Sequence, residues 1–252
     1  MTLELRAISE YLDRYLAVTD VSDWDNAVNG LQIDNSGPVA RFAVAVDACQ
    51  ATIDQAAQLQ AGLLIVHHGL FWGGLEPLTG RHGRRIRALI KADMALYSAH
   101  LPLDLHPDVG NNAVLARMLH LQDIAQFGDV KGQALGVLGS TEIALALLTQ
   151  RLSKLLGVTP HVIAAGPSTA RRIAVVTGGG GGYVRQALDA GADTYVTGEG
   201  SHHSHFDAEE WGLNLIYAGH YATETVGVRA LGQHLHEKFH LPWHFIDHPT
   251  GL

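Results

Sequence analysis

The chain has a single cysteine, Cys49, which rules out an internal disulfide and leaves no cysteine cluster to hold zinc or an iron–sulfur centre. It has no apolar run of the roughly 18 to 20 residues that a membrane-spanning helix requires. The opening stretch carries Glu4, Arg6, Glu10, Asp13 and Arg14, which interrupt it where a signal peptide would have its apolar core. Cationic side chains are scarce: 17 Lys and Arg against 25 Asp and Glu give a formal net charge of −8, which disfavours non-specific binding to nucleic acid or anionic membrane. No Ser/His/Asp or Cys/His nucleophile pattern stands out, and Cys49 reads as a small buried residue. These absences predict a soluble, cytoplasmic chain whose 252 residues suffice for one large or two modest domains. Its one basic run, "RHGRRIR" at 81–87, reads either as a solvated helix start or as a contact for an anionic substrate.

What the chain has in excess is histidine, 16 in all, so any metal must be held by imidazole and carboxylate. Spacing singles out a few of them. His67 and His68 end the apolar run "LLIVHHG", His100 and Asp104 lie in "YSAHLPLD", and His220 and Glu224 lie in "IYAGHYATE". Nitrogen and carboxylate donors of this kind suit zinc, iron, manganese, nickel or cobalt, and a bridging carboxylate can hold two ions together. Adjacent residues on a regular strand point to opposite faces. At a strand end before Gly69, the two imidazoles can instead splay toward neighbouring ions. Glu224 is expected near a helix N-terminus with His220 on the turn before it, and Asp104 in a loop after Pro102. His100 reads as a metal ligand, an orienting residue or a proton shuttle, and Glu199 in "TGEG" as a general acid or base.

Apolar periodicity predicts a first helix from Leu5 through Ile8, Leu12 and Leu16 to near Val18. A strand "RFAVAVD", a helix "QATIDQAAQLQ" and a strand "GLLIVHHG" follow. Residues 42–69 lie over 173–200 without a gap, an offset of 131 with six identities, and an offset of 120 lays "YSAHLPLD" over "YAGHYATE". The pattern predicts an internal duplication: two similar α/β domains, residues 1–128 and 129–252, with a dinuclear metal site in the crevice between them. The boundary is placed at "QFGDVKGQ", where periodicity lapses. The glycine run at 178–182 reads as an anion-binding turn or as a mobile turn without a ligand. "SHHSH" at 201–205 reads as a surface or crevice-lining loop, and the histidines of 234–248 as surface helix and terminal strand residues.

Six segments together resemble the GTP cyclohydrolase 1 type 2 homologues, also called Nif-three-like dinuclear metal-centre proteins. They are "WDNAVNGLQ" (24–32), "VDAC" (46–49), "HHGLFW" (67–72), "SAHLPLD" (98–104), "TGE" (197–199) and "AGHYATE" (218–224). The resemblance runs almost end to end and matches the compact form, without an inserted domain between the halves. It implies intertwined α/β domains, a ring-shaped homohexamer and two divalent ions in each subunit. The implied ligands are His67, His68, Asp104, His220 and Glu224, with His68 and Asp104 favouring one ion, His67 and His220 the other, and Glu224 bridging. "HHSH" and the glycine run lie outside the fixed motifs. Two functions compete: a metal-dependent hydrolase of a nucleotide-like substrate (cyclohydrolase, amidohydrolase or phosphatase), with His100 or Glu199 moving protons, and a non-catalytic metal-binding, metal-trafficking or regulatory scaffold.

Overall fold

The computed structural model describes residues 2–72 and 74–252. They divide into two compact units, the first formed by the chain up to Val109 together with Gly227–His248, the second by Gly110–Val226 with Pro249–Leu252. Among the described residues no helix is long and apolar enough to cross a membrane.

In chain order the first unit holds β1 (Leu3–Glu4), α1 (Leu5–Tyr15), β2 (Gly30–Ile33), β3 (Pro38–Val39), β4 (Phe42–Asp47), α2 (Gln50–Gln58), β5 (Leu63–His68), α3 (Gly80–Lys91), β6 (Ala95–Ser98) and α4 (Leu101–Asp104). Helix α1 buries Leu5, Ile8 and Leu12, as its spacing predicts, and stops at Tyr15 because Ala17 turns left-handed at φ 50°. Strands β4, β5 and β6 run parallel, with β2 antiparallel at the edge. Both faces of these strands are covered, which explains their unbroken apolar runs. On one face Ala43, Ala45, Leu64, Val66 and Leu96 pack with Ile53 of α2 and Ile86 and Leu89 of α3. Each fully buried Leu or Ile there contributes about 2 kcal/mol. On the other face the Tyr97 hydroxyl donates to Asp13 of α1 at 2.7 Å. Within "RHGRRIR", which opens α3, His82 and Ile86 face the core while Arg81, Arg84 and Arg87 lie exposed. Cys49 is half-buried at the N-cap of α2, not a core residue.

The second unit holds α5 (Asn111–Met118), β7 (Gln122–Val130), β8 (Gln133–Ala144), α6 (Leu145–Leu156), β9 (His161–Ala164), β10 (Thr169–Val176), a single tight 3₁₀ turn over Gly180–Tyr183, α7 (Val184–Asp189), β11 (Thr194–Thr197), α8 (His202–Trp211) and β12 (Asn214–Tyr217). Helix α9 (His220–Phe239) starts in this unit and continues into the first, where β13 (Trp243–Phe245) adds to the edge of the sheet beside β4. The expected boundary at 128/129 lies inside β7. "QFGDVKGQ" is half of a hairpin whose two-residue turn, Lys131–Gly132, has both φ angles positive (52° and 80°). Periodicity lapses there because a turn intervenes, and the chain changes units earlier, after Val109. "SHHSH" is not a loop either: Ser201 is the N-cap of α8, and Gly212, left-handed at φ 67°, ends that helix.

The two sheets share a plan, β4-β5-β6-β2 in one and β10-β11-β12-β9 in the other: three parallel strands, then an antiparallel edge strand that precedes them in sequence. Registers correspond too. Phe42 pairs with Leu63 as Ile173 pairs with Thr194, the same offset of 131, and it extends back to β2 and β9, where Gly30 and Leu31 correspond to His161 and Val162. The third strand corrects the second offset. Val66 faces Ser98 while Thr197 faces Tyr217, so β6 matches β12 at 119, not 120. The Tyr97–Tyr217 identity is therefore coincidental. A one-residue slip reverses the side-chain face, and Tyr97 is fully buried where Tyr217 is only partly so.

Candidate metal centre

In the first unit the C-terminal ends of β4, β5 and β6 bring acid and imidazole together. His67 and His68 are the last residues of β5, and their rings lie 4.6 Å apart, centroid to centroid. His67 is fully buried, and its Nδ1 donates to the Ala99 carbonyl at 2.9 Å. Because a carbonyl only accepts, that bond fixes the proton on Nδ1 and makes Nε2 the ring's basic nitrogen. Nε2 faces Asp104 Oδ2 at 3.6 Å. His68 Nδ1 donates to Asp47 Oδ1 at 2.9 Å, Asp47 being its neighbour across the sheet. Asp104 is not a loop residue: it closes the short helix α4, and its side chain is almost wholly buried.

His100 follows β6 and joins the same group. Its ring centroid lies 5.0 Å from that of His67 and 5.7 Å from that of His68. Its Nδ1 donates to Asp23 at 2.9 and 3.1 Å. Burial alone would raise the Asp23 carboxyl. The bond and charge of His100, with donors from Asn29 and the Trp24 backbone, outweigh it and hold the carboxyl at about 2. Trp72 sets its ring edge-on to His100, 4.8 Å away.

The second unit presents His220 and Glu224, four residues apart on one face of α9. The helix begins at His220 itself, so His220 is not on a preceding turn. His220 Nε2 lies 3.2 Å from Glu224 Oε1, and its Nδ1 lies 2.8 Å from Glu199 Oε1. The Glu224 hydrogen bond, against the cost of burial and aided by the Glu199 contact, pushes the His220 imidazole up to about 9. Glu199, the candidate acid or base, is thus placed on the far nitrogen of His220.

The glycine run supports this pair, with three of its five amides turned to partners within the fold. Gly178 N–H donates to Thr223 Oγ1, Gly180 N–H to Gly178 O and Gly181 N–H to Glu199 O, so these amides are engaged within the fold. Gly178 is left-handed (φ 65°), and a Cβ there would collide with the Glu224 carboxylate. The histidines of α8 lie away from these groups in kind: His202 and His203 are exposed, and His205 sits 3.4 Å from Glu209 on its own helix. Among the late histidines His234 is half-buried, stacking on Tyr15 with centroids 4.1 Å apart.

Four of the histidines picked out by spacing therefore share one arrangement. Nδ1 is held by a carbonyl or carboxylate and Nε2 is turned toward other donors, as in metal-binding histidines fixed by outer acceptors. In His67, His68 and His100, one ring nitrogen from each lies within 4.8 Å of the others. The donor set fits a divalent transition ion: imidazole beside a buried carboxylate in each unit, with the His220 proton to be given up on binding. Sequence reasoning missed Asp23, Asp47 and Gly178. Asp47 was open to discovery, since it ends the strand parallel to the one carrying His68. Asp23, 77 positions from His100 and in a turn, had no signal.

The sequence profile of Duf34/NIF3 (NGG1p interacting factor 3) matches residues 3–250. A GTP cyclohydrolase 1 type 2 homolog from Deinococcus radiodurans is 45% identical over 230 residues, covering 90% of this chain and 88% of its own. One from Pyrococcus abyssi is 42% identical over 253 residues, covering 99% and 100%. The crystal structure of TTHA1606 from Thermus thermophilus superposes with a TM-score of 0.92 at 43% identity, covering 99% and 100%.

Proposed function

Because the chain belongs to the Duf34/NIF3 family, we propose that it is a dinuclear metal protein and a metal-dependent hydrolase of a nucleotide-like substrate. In this reading His67, His68, Asp104, His220 and Glu224 hold two divalent ions, of zinc, iron, manganese, nickel or cobalt. The ions supply Lewis acidity and make water a nucleophile near neutral pH. The observation that carries the reading is the shared fixing of Nδ1, by Ala99, Asp47 and Glu199, in the three histidines named as ligands. Each acceptor occupies Nδ1, so Nε2 is the nitrogen that would bind an ion. Glu199 orients His220 and stands ready to move a proton. The matching registers of the two sheets support two copies of one ancestral unit, and the family resemblance supports assembly as a homohexamer.

A second reading, a non-catalytic metal-binding or trafficking scaffold, is favoured by one observation: both proposed proton carriers have a binding task, His100 Nδ1 on Asp23 and Glu199 on His220. Elemental mass spectrometry of gently purified protein, with GTP turnover assayed on the same samples, separates the two. The hydrolase reading expects about two ions per chain, fewer in His68→Ala and Glu224→Gln, and turnover lost with the metal. Metal without turnover favours the scaffold, and no metal after reconstitution defeats both. Light scattering on the same material reads the ring.

A further inference from the structure

The ligand set implied by the resemblance leaves out His100, yet His100 is built as its neighbours are. Asp23 holds it with a side chain only 5% exposed. The same carboxylate accepts Trp24 N–H at 2.7 Å, Asn29 Nδ2 at 2.8 Å and Leu101 N–H at 3.0 Å. Asn29 Oδ1 in turn takes the His100 backbone N–H at 2.8 Å. Ring and backbone of His100 are thus both pinned from the segment 23–29. A buried carboxylate with so many donors is a costly thing to assemble unless its orientation matters.

Its effect is chemical as well as steric. The Asp23 carboxylate accepts from His100 Nδ1 at 2.9 and 3.1 Å, which turns the Nε2 edge of the ring away from it. His67 and His68 are held at Nδ1 in the same way by Ala99 O and Asp47. One ring nitrogen from each of the three lies within 4.8 Å of the others, a spacing at which they can share one ion. Trp72, edge-on to His100 at 4.8 Å and to His68 at 5.8 Å, closes one side of the group.

We propose that His67, His68 and His100 form a three-imidazole metal site complete within the first unit, with His100 a direct donor and Asp23 the residue that positions it. The inference rests on the metal-centre reading above and extends it: this site takes an ion without His220 or Glu224. Three imidazole nitrogens would suit zinc, cobalt, nickel or ferrous iron over magnesium or calcium, with Asp104 3.6 Å from His67 Nε2.

The test uses the full chain carrying His220→Ala and Glu224→Gln, stripped with chelator and titrated with cobalt(II), with metal counted by elemental mass spectrometry and followed by its visible bands. Circular dichroism checks each variant's fold. This double variant should keep one ion per chain. Adding His100→Ala should abolish it, and free imidazole, filling the vacated place, should restore it. Adding Asp23→Asn, the same shape, should weaken cobalt binding by about 10- to 100-fold. It should also shift the visible bands and move His100 out of its Nδ1–H tautomer in ¹⁵N NMR, which a merely structural role would not do. If the double variant binds nothing while wild type binds two ions, the three-imidazole site is wrong and the dinuclear reading stands. Unchanged cobalt binding on adding His100→Ala also overturns it. If wild type itself takes no ion, both fall.

Discussion

Replacing Gly178 with alanine should damage the second unit twice over. A left-handed φ of 65° costs an alanine about 1 kcal/mol relative to glycine. The new Cβ would stand 3.1 Å from Glu224 Cδ, closer still to Oε1, and 3.4 Å from His220 Nε2. Glu224 is 4% exposed and has little room to retreat, so it must leave its rotamer at a cost of about another 1 kcal/mol. The sum, about 2 kcal/mol, is a factor of roughly 30 in the folding equilibrium and about 4–8 °C in Tm for a domain this size. Displacing the carboxylate from His220 should also weaken metal binding by 10-fold or more, roughly as loss of an orienting partner does. Calorimetric melting of chelated protein reads the first effect and metal titration the second. Gly179→Ala and Gly182→Ala are the controls. Neither glycine has a left-handed φ, and a Cβ at Gly179 meets nothing nearer than 3.8 Å, at Gly182 nothing within 4 Å. If Gly178→Ala melts and binds metal like these two, the glycine run is not shaped around Glu224 and the reasoning fails.

Further outcomes follow from the same geometry. His220, at about 9 without metal, carries a proton at neutral pH that an entering ion must displace. Isothermal calorimetry in buffers of differing ionisation enthalpy should therefore show a proton released at pH 7 in wild type and missing in His220→Gln. In the metal-free protein the raised His220 contributes stability that is fully present below pH of about 6.5 and is lost as pH rises through about 9; His220→Gln should flatten that limb of a stability-against-pH curve. His234, lowered chiefly by burial, acts in the opposite direction, since the unfolded chain takes its proton first as pH falls below about 6.5. Tyr11→Phe removes the 2.6 Å bond to His234 Nε2 and should cost about 1 kcal/mol in denaturant titration. Leu64→Ala, at a fully buried site between β4 and β6, should cost about 2–5 kcal/mol; a loss under 1 would contradict the packing described for the first sheet.

The parts of the fold legible in the sequence were those where side-chain chemistry repeats along the chain. The offset of 131 reflects shared register, since β4 pairs with β5 as β10 pairs with β11, residue for residue. The offset of 120 misled because two tyrosines agreed by chance on different faces. Of the candidate site, the histidines and carboxylates were visible because each ends an apolar run. Asp23 was invisible because its partner lies across the fold, not along the chain. "SHHSH" hid a helix whose signals, Ser201 before it and Gly212 after it, were present but outweighed by the pull of clustered histidine. The glycine run was read for what glycine frees, whereas at Gly178 and Gly180 it serves close approach, a Cβ at Gly180 falling 2.8 Å from the Tyr195 hydroxyl.

The passage of α9 from one unit into the other has a consequence for synthesis. Phe42 on β4 stacks on Trp243 of β13, and Gly232 of α9 leaves no room for a side chain against that same indole. A ribosome finishing Val109 has therefore made most of the first unit but not the strand and half-helix that complete it. The edge of β4 stays unpaired until more than a hundred further residues have emerged, among them every strand of the second unit's sheet. Closure of the first unit is then a late, long-range event, of the slow and aggregation-exposed kind. A chain interrupted before Trp243 would carry the candidate histidines of the first unit, His67, His68 and His100, on a sheet with an open apolar edge.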